Sequence, residues 1–470
     1  MIKKEMKNIL PNNWIRLSLG DVSNSQKGKL PKEFSTCLKD GFLPYIDIKA
    51  FEKNEIRRYA KIEKSVISTS KDILVVWDGA RFGLSGFGCE GVLGSTLVRI
   101  NSDYLETKFL YYFIHNNYKI INSKPRGTGT PHVDPETFWS LSVNIAPLNE
   151  QKRIVDKIEQ LFSDLDKGED LIKTIQKQLK TYLQSALKSA VTGELTKDWR
   201  EKNQSNVESG KSLIERISSD IIINKKDLKN FNEDDLPSIP KSWTWATLPQ
   251  LGEFGRGKSK HRPRNDPALY ENGKYPFLQT GVIRKSSERV SRYDKLYNEM
   301  GLKQSKLWPK GTVCITIAAN IAESAILDIQ ACFPDSIVGL VPHKEVSGEF
   351  IEFFIRTAKG NLDRFAPATA QKNINLEILK AVAIPIPPYQ EQLAIYEKAN
   401  KILSNILSIE KWCIDALKES KSLRQSILKS AFSGKLVTQD PNDEPASKLL
   451  ERIKSTKQEL ENNQLMKKKK

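Results

Sequence analysis

Apolar residues recur at steps of three and four along two stretches of the chain. The first ladder is Ile154, Ile158, Leu161, Leu165, Ile172, Ile175, Leu179, Tyr182, Ala186 and Ala190. The second is Ile395, Ala399, Ile402, Ile406, Cys413, Ala416, Ser420, Leu423, Ile427 and Ala431. The steps average about 3.5, the period at which helices wind into a coiled coil, and the positions between are mostly polar or charged. Two long helices are therefore predicted. From Glu150 to Ala190 there are 41 residues, roughly 60 Å at the helical rise. Gly193 and Gly434 stand where a helix C-terminal stop belongs. The helices are expected to pack on each other through Ile154, Ile158, Leu161, Leu165, Ile172, Ile175 and Leu179 on one side and Ile395, Ile402, Ile406, Leu423 and Ile427 on the other. The competing reading is that each helix braces its own globular domain.

The two ladders belong to a larger internal repeat. At an offset of 241, TYLQSALKSAVTGEL (181–195) and SLRQSILKSAFSGKL (422–436) share eight identities in fifteen positions. The same offset superposes Glu150-Gln151 on Glu391-Gln392 and Phe109–Ile114 on Phe350–Ile355. Each half opens with Pro-x-x-Trp (Pro11 to Trp14, Pro240 to Trp243) and closes its mixed region with an apolar, proline-containing strand (141–148, 382–389). The order in each half is globular domain, then long helix.

Within the globular parts, KDILVVWDG (71–79), GSTLVRI (94–100), GTVCITIAA (311–319) and SIVGLVP (336–342) read as short strands bounded by Gly, Pro or Asp. Tyr104 to Asn117 and Glu349 to Lys359 read as helices, as does the short run Lys211 to Ile217. The fold class is mixed α/β, with two similar globular domains and two long helices. The predicted boundaries are 1–147 and 240–387 for the globular domains, 148–195 and 388–436 for the helices, 196–239 for a polar connector and 437–470 for a C-terminal extension.

Composition narrows the function. With 470 residues, 28% charged and 39% hydrophobic, the chain can bury real cores. Lys+Arg minus Asp+Glu is 74 − 57 = +17, an excess that favours a polyanionic partner. No apolar run reaches signal-peptide or membrane-spanning length, so a cytoplasmic protein with no membrane partner is expected. Five cysteines without a C-x-x-C pair and four scattered histidines argue against a metal site or a disulfide framework.

Several motifs suggest catalysis. Gly252 to Ser259 (GEFGRGKS) fits the phosphate-loop pattern GxxxxGK[ST], so an ATP-dependent enzyme acting on DNA is the leading alternative. That loop requires a helix directly after it, yet KHRPRNDP follows, and the other half lacks the pattern. Gly86-x-Gly88-x-x-Gly91 precedes a strand-like run and reads as a turn. Ile386-Pro-Pro-Tyr389 has Ile where adenine-amino methyltransferases carry the polar residue that would accept a hydrogen bond from the amino group. No nucleophile and base set is marked by a local pattern, and no catalytic residue is assigned on this chain.

Basic and polar loops remain. Arg256, Lys258, Lys260, Arg262 and Arg264 place five cations in nine residues, and a loop of that kind can follow phosphates. Lys27 and Lys29 occupy the matching loop of the first half, and Arg57, Arg58, Arg284 and Lys285 add charge beyond the next strands. Candidate base readers are Arg81 and Asn320 after matching strands, then Arg126, Thr128, Thr130 and His132, which at the same offset face Thr369, Gln371, Lys372 and Asn373. For any one of these, a solvated surface residue is the plain alternative.

With these features in hand, the chain resembles the DNA-sequence specificity subunit of type I restriction-modification systems, from Trp14 to about Ile453. The residues that carry the likeness are Pro147-Leu-Asn-Glu-Gln151 and Pro388-Tyr-Gln-Glu-Gln392 at the helix starts, SALKSAVTGELT and SILKSAFSGKLV at the helix ends, and TAQKNI (369–374), with GTGTPHV (127–133) as its looser first copy. The resemblance implies two target-recognition domains, each reading half of a split double-stranded DNA site, with the helices antiparallel as a spacer between them. It also implies two methyltransferase subunits as partners, binding S-adenosylmethionine and flipping the target adenine, so that this chain holds no cofactor of its own; endonuclease and translocase subunits join in some systems. A structural coiled-coil protein would explain the helices but leave the duplicated basic loops without purpose.

Overall fold

The computed structural model describes residues 10–127, 129–203, 208–221, 231, 233–286, 288–317, 322–358, 375–455 and 458. Two helices of 44 residues each dominate, Leu148–Val191 and Tyr389–Phe432. Both stop where a glycine adopts a positive φ, +84° at Gly193 and +71° at Gly434. A side chain at either place would also collide with proline: an added Cβ would sit 2.4 Å from Pro240 Cγ at Gly193 and 2.4 Å from Pro11 Cγ at Gly434. Left-handed backbone and close approach together require glycine there.

The chain folds into two compact units, Met1–Lys173 with Cys413–Lys470, and Thr174–Trp412. The division falls inside both long helices. Each unit therefore combines one mixed α/β region, the beginning of the helix that follows it and the end of the other helix.

In the first unit, Ile15–Ser18 pairs antiparallel with Ser142–Ile145, joining the opening of the half to the strand that leads into the long helix. The main sheet is antiparallel, in the order Asn24–Lys27, Leu97–Asn101, Ile73–Val76, Ser85–Phe87. All four residues of the Ile73–Val76 strand are buried, as a strand covered on both faces should be. A second sheet of short strands, Phe34–Ser35, Tyr59–Lys61, Phe42–Ile46, Gly91–Leu93 and Ile67–Ser68, has no forerunner in the sequence pattern. The helix Thr107–Asn116 buries Phe109, Leu110, Phe113 and Ile114. Phe109 and Phe113 meet Phe432, at the end of the second long helix, with ring centroids 5.2 and 5.6 Å apart.

The second unit repeats the plan. Thr244–Thr247 pairs with Ala383–Ile386, and the main sheet runs Gly252–Arg256, Ile337–Pro342, Val313–Thr316, Ser324–Leu327, with Arg289–Val290 added in parallel at the edge. Lys295–Tyr297, Tyr275–Phe277, Ala331–Cys332 and Leu307–Trp308 form the smaller sheet. Gly348–Ala358 is the counterpart helix and packs Phe350, Phe353 and Phe354 into a core shared with Ala190, Ile395 and Ala399.

The repeated sequence elements meet in space. Trp14 Nε1 donates to Glu150 Oε2 at 3.1 Å, and Trp243 Nε1 to Glu391 Oε2 at 2.9 Å. The neighbouring glutamines tie strand, helix and loop together: Gln151 donates to Ala146 O and accepts from Glu106 N, both at 2.9 Å, while Gln392 donates to Pro387 O at 3.0 Å and accepts from Ser347 N at 2.9 Å. Pro-x-x-Trp and Glu-Gln are thus the two sides of one joint, built twice.

Of the expected seam residues, Ile154, Ile158, Ile172, Leu179, Ile395 and Ile406 are buried, and Leu161, Leu165, Ile175, Ile402 and Ile427 are half-buried. Ile154 and Ile158 belong to the core of the first unit together with Leu428 and Ala431 from the other helix, so the first turns both brace their own domain and meet the second helix. Leu423 departs from expectation at 44% exposed. The position beside it takes the seam: Arg424 bonds Asp166 Oδ1 at 2.6 Å and Glu169 Oε1 at 3.2 Å and lies over the Phe162 ring, while Ser420 Oγ donates to Glu169 at 2.6 Å. Ascending from 420 to 424 against 169 to 162, the helices run antiparallel within this unit. No helix among the described residues is long and apolar enough to cross a membrane.

Candidate nucleic-acid interface

In the first unit, the chain after the Ile73–Val76 strand meets the segment around residues 126–132. Asp78 and Arg126 each form a backbone bridge with His132. Arg126 N donates to His132 O at 3.1 Å, His132 N returns to Arg126 O at 3.0 Å, Gly79 N donates to Pro131 O at 2.8 Å and Val133 N to Trp77 O at 2.9 Å. This small ladder fixes the backbone of a polar surface. On it, the Asp78 carboxylate takes Lys27 Nζ on Oδ2 at 2.7 Å and His132 Nδ1 on Oδ1 at 2.7 Å. Lys27, Arg126, Thr130 and His132 are thereby brought together, with Arg126 and Thr130 exposed.

Three other predicted cations in this unit, Arg57, Arg58 and Arg81, have intramolecular partners. Arg57 pairs with Asp47 at 2.5 Å, and Arg81 pairs with Glu52. Arg58 stacks its guanidinium over Phe34 and Tyr45, 4.2 and 4.7 Å from the ring centroids, a planar contact that Lys would not reproduce. Lys29 is exposed.

In the second unit the basic segment leaves the end of the Gly252–Arg256 strand, the position that Lys27 occupies on the first sheet. Three of its members hold the loop itself. Arg262 Nη1 donates to Ser259 O at 2.6 Å and His261 O at 2.8 Å, Arg264 pairs with Asp335 at 2.8 Å, and the Lys260 backbone N–H bonds Gln304 Oε1 at 2.5 Å. His261 Nε2 lies 2.7 Å from Asp266 Oδ2, and this hydrogen bond holds the Asp266 carboxyl below the usual carboxylate range. Among the described residues no ion pair forms on the exposed side chains of Lys29, Arg126, Arg256, Lys258, Lys260, Arg284 or Lys285. Of the predicted contact residues these seven are the most available to phosphate, because an ammonium or guanidinium already neutralised gains less from a second anion. Thr128, Asn320, Thr369, Gln371, Lys372 and Asn373 lie outside the described residues.

The phosphate-loop pattern is not a phosphate cradle. Gly252 to Arg256 is a strand whose backbone is committed to Ile337–Pro342, Gly257 N donates to Ile337 O at 2.8 Å, and a Cβ on Gly257 would sit 2.3 Å from Phe333 O. Ser259 is buried with Oγ 3.4 Å from Tyr297 OH, and the segment proceeds through turns to the short 3-10 turn Pro267–Leu269. No helix N-terminus supplies free amides. Gly86, Gly88 and Gly91 likewise join two strands, Ser85–Phe87 and Gly91–Leu93. No group of three or more His, Cys, Asp or Glu among the described residues could hold a metal ion.

The arrangement is one of exposed cations and hydrogen-bonding side chains on rigid strand ends, twice over. It suits contact with a long polyanion rather than enclosure of a small substrate.

Comparison with known proteins points the same way. The family model "Type I restriction modification DNA specificity domain" matches residues 11–181 and 240–419. The chain is 25% identical over 460 residues to the type I restriction enzyme MjaVIII specificity subunit of Methanocaldococcus jannaschii, covering 93% of this chain and 97% of that one. It is also 25% identical over 457 residues to the EcoDI specificity subunit of Escherichia coli, covering 95% and 96%. The crystal structure of the HsdS subunit from Thermoanaerobacter tengcongensis superposes with a TM-score of 0.59 at 20% identity, over 92% of this chain and 100% of that one, and shares the fold.

Proposed function

The chain belongs to the type I restriction modification DNA specificity family, and from that premise we propose that it reads a two-part DNA target, one half-site per unit, without catalysing a reaction itself. Target recognition is the family's task. The observation that carries the two-part reading is the duplication: the same sheet, the same tryptophan-glutamate joint and a polar, cation-bearing strand end occur in each unit. The reading loops between these shared parts differ, GTGTPHV against ATAQKNI, so the half-sites should differ as well.

In this reading, phosphate contacts from the free lysines and arginines set affinity and register, and side chains such as Arg126, Thr130 and His132 in one unit and Gln371 and Lys372 in the other read base edges. Two methyltransferase subunits would dock on the chain, bind S-adenosylmethionine and flip the target adenine into their own pockets. Restriction subunits would join the same assembly in cells that cleave. The work is done on DNA in the cytoplasm.

The test is a genome-wide map of methylated adenines in the source cell with and without this gene. Loss of methylation at a single two-part motif is the expected result. An unchanged map in a cell that expresses the chain and its methyltransferase would overturn the proposal.

A further inference from the structure

We propose that His132 reads one base pair of the first half-site through Nε2, and that Asp78 selects its preference by fixing which ring nitrogen carries the proton. The inference rests on the DNA-reading proposal above and adds a chemical specificity at one position.

Asp78 Oδ1 lies 2.7 Å from His132 Nδ1. A carboxylate only accepts, so Nδ1 carries the hydrogen. In the neutral ring Nε2 is then an acceptor. The His132 side chain is 43% exposed, and Nε2 has no hydrogen-bond partner among the described residues. Gly127 beside it, with φ +95°, leaves room next to the ring: an added Cβ would approach to 3.2 Å at Cδ2 and 3.7 Å at Nε2. The backbone beneath is pinned on both flanks by the bridges to Asp78 and Arg126, as a reader requires, since base edges differ by ångströms. An acceptor at that place matches a base that presents an amino donor in the major groove, adenine N6 or cytosine N4.

Lys27 makes the device testable. Its ammonium, 2.7 Å from Asp78 Oδ2, only donates. The amide introduced by Asp78→Asn must therefore turn its oxygen to Lys27 and its NH2 to His132 Nδ1. That nitrogen becomes the acceptor, the proton moves to Nε2, and the outward edge of an unchanged histidine switches from acceptor to donor. At the place the amino group occupied, a donor prefers the oxygen that replaces it, guanine O6 for adenine N6 or thymine O4 for cytosine N4. Asp78 is thus a positioning residue, and its replacement should alter which base is chosen rather than merely how tightly DNA is held.

The experiment is binding of the full chain, with its cellular partners, to a panel of duplexes in which each base pair of the target is varied in turn. Wild type should prefer adenine or cytosine at one position of the first half-site, by roughly tenfold. D78N should reverse that preference toward guanine or thymine at the same position. H132A, at an exposed side chain that supports no core, should make the position indifferent. The other positions of the first half-site, and the whole second half-site, should be read unchanged by both variants, which also reports that the first unit folds. The proposal is overturned if H132A leaves every position as selective as wild type, if it weakens all positions equally as a phosphate contact would, or if D78N weakens binding without changing the preferred base. Absence of any preferred sequence in wild type would instead sink the DNA-reading proposal.

Discussion

Glu150 and Glu391 occupy the same place in the two halves, yet the same substitution should have very unequal consequences. Glu391 is fully buried and its carboxylate is saturated: Thr196 Oγ1 donates to Oε1 at 2.7 Å, Arg200 Nη1 to Oε1 at 2.6 Å and Trp243 Nε1 to Oε2 at 2.9 Å. Glu150 is 1% exposed and keeps the tryptophan bond on Oε2, but Oε1 is buried without a partner among the described residues. The repeat offset explains the difference. Thr196 and Arg200 correspond to Val437 and Pro441, neither of which can donate a side-chain hydrogen bond. Accordingly, burial pushes the Glu150 carboxyl above the usual range. Glu391→Gln removes the charge that Arg200, only 18% exposed, relies on, a loss of about 3–5 kcal/mol for breaking a buried pair from one side. Glu150→Gln removes a buried charge that is answered on one oxygen only, keeps an acceptor for Trp14, and should stay within about 1 kcal/mol of wild type. Native-state hydrogen exchange reads each unit separately. In E391Q the protected amides of the second unit should open at least about 100-fold more often, whereas E150Q should leave the first unit nearly unchanged. Raised pKa means that Glu150 contributes stability below the ordinary carboxylate range and loses it as pH rises through the raised value; E150Q should abolish that part of the pH dependence. Equal losses in the two variants would refute the reasoning.

Charge and burial elsewhere in the second unit support two more predictions. Replacing Lys258 and Lys260 by alanine should weaken binding similarly on all sequences and lower the slope of log K against log salt by about 1 for each phosphate no longer neutralised; a salt titration of duplex binding with an unchanged slope would remove both from the interface. Glu352, fully buried between Ser324 Oγ at 3.1 Å and Arg356 Nε at 3.2 Å, has its carboxyl pushed up to about 7, first of all by burial. Its folded value is the higher one, so it stabilises the second unit below pH ~4.5 and that stability is lost as pH rises through ~7. Thermal unfolding should show E352Q flattening the fall in stability over that window, and a parallel decline in variant and wild type would count against it.

Some of this is legible in the sequence, and the physics of each element explains which parts. A ladder at steps of three and four betrays a long helix because each residue votes for the same face, and the glycines at 193 and 434 mark its end through their own backbone freedom. Strands 73–76 and 337–342 announce themselves as apolar runs because both faces are covered. The smaller sheets do not, since strands of two to five residues such as Ile67–Ser68 and Phe42–Ile46 carry too few alternations to establish a period. Trp14 and Glu150 are visible as repeated motifs, but not that they touch, because 136 residues separate them and pairing at that distance leaves no local trace. Lys258 illustrates the converse. Its pattern is a local string, and the string is satisfied by a strand and a turn as readily as by a phosphate loop. At the surface, charge alone overstates the interface: Arg57, Arg58, Arg81 and Arg264 carry the right sign, but acids or aromatic rings within the fold already engage them.

The duplication separates what must be shared from what must differ. Two copies that dock the end of one helix against the opening of the other half need the same closing parts, and those parts recur: tryptophan on glutamate, glutamine across strand and loop, glycine against proline. In the proposed reading, two readers of different half-sites need unlike loops on like strand ends, and Lys27 with Asp78 and His132 in one unit stands where the other has a five-cation segment stapled by Arg262 and Arg264. Between these extremes lie Glu150 and Glu391, shared in identity and unlike in surroundings. Glu391 takes two donors from the segment beyond Gly193, Thr196 and Arg200, whereas Val437 and Pro441 at the matching places beyond Gly434 carry no side-chain donor. The joint that is passed through in mid-chain keeps its threonine and arginine, and the joint that receives the C-terminal extension makes do with Arg153 on Asp443, 2.6 Å apart, beside an unanswered oxygen. Supplying the missing donor with Val437→Thr should therefore stabilise the first unit by about 1 kcal/mol, and it should do so only while Glu150 is present; an equal gain in the E150Q background would show that the hydroxyl acts elsewhere.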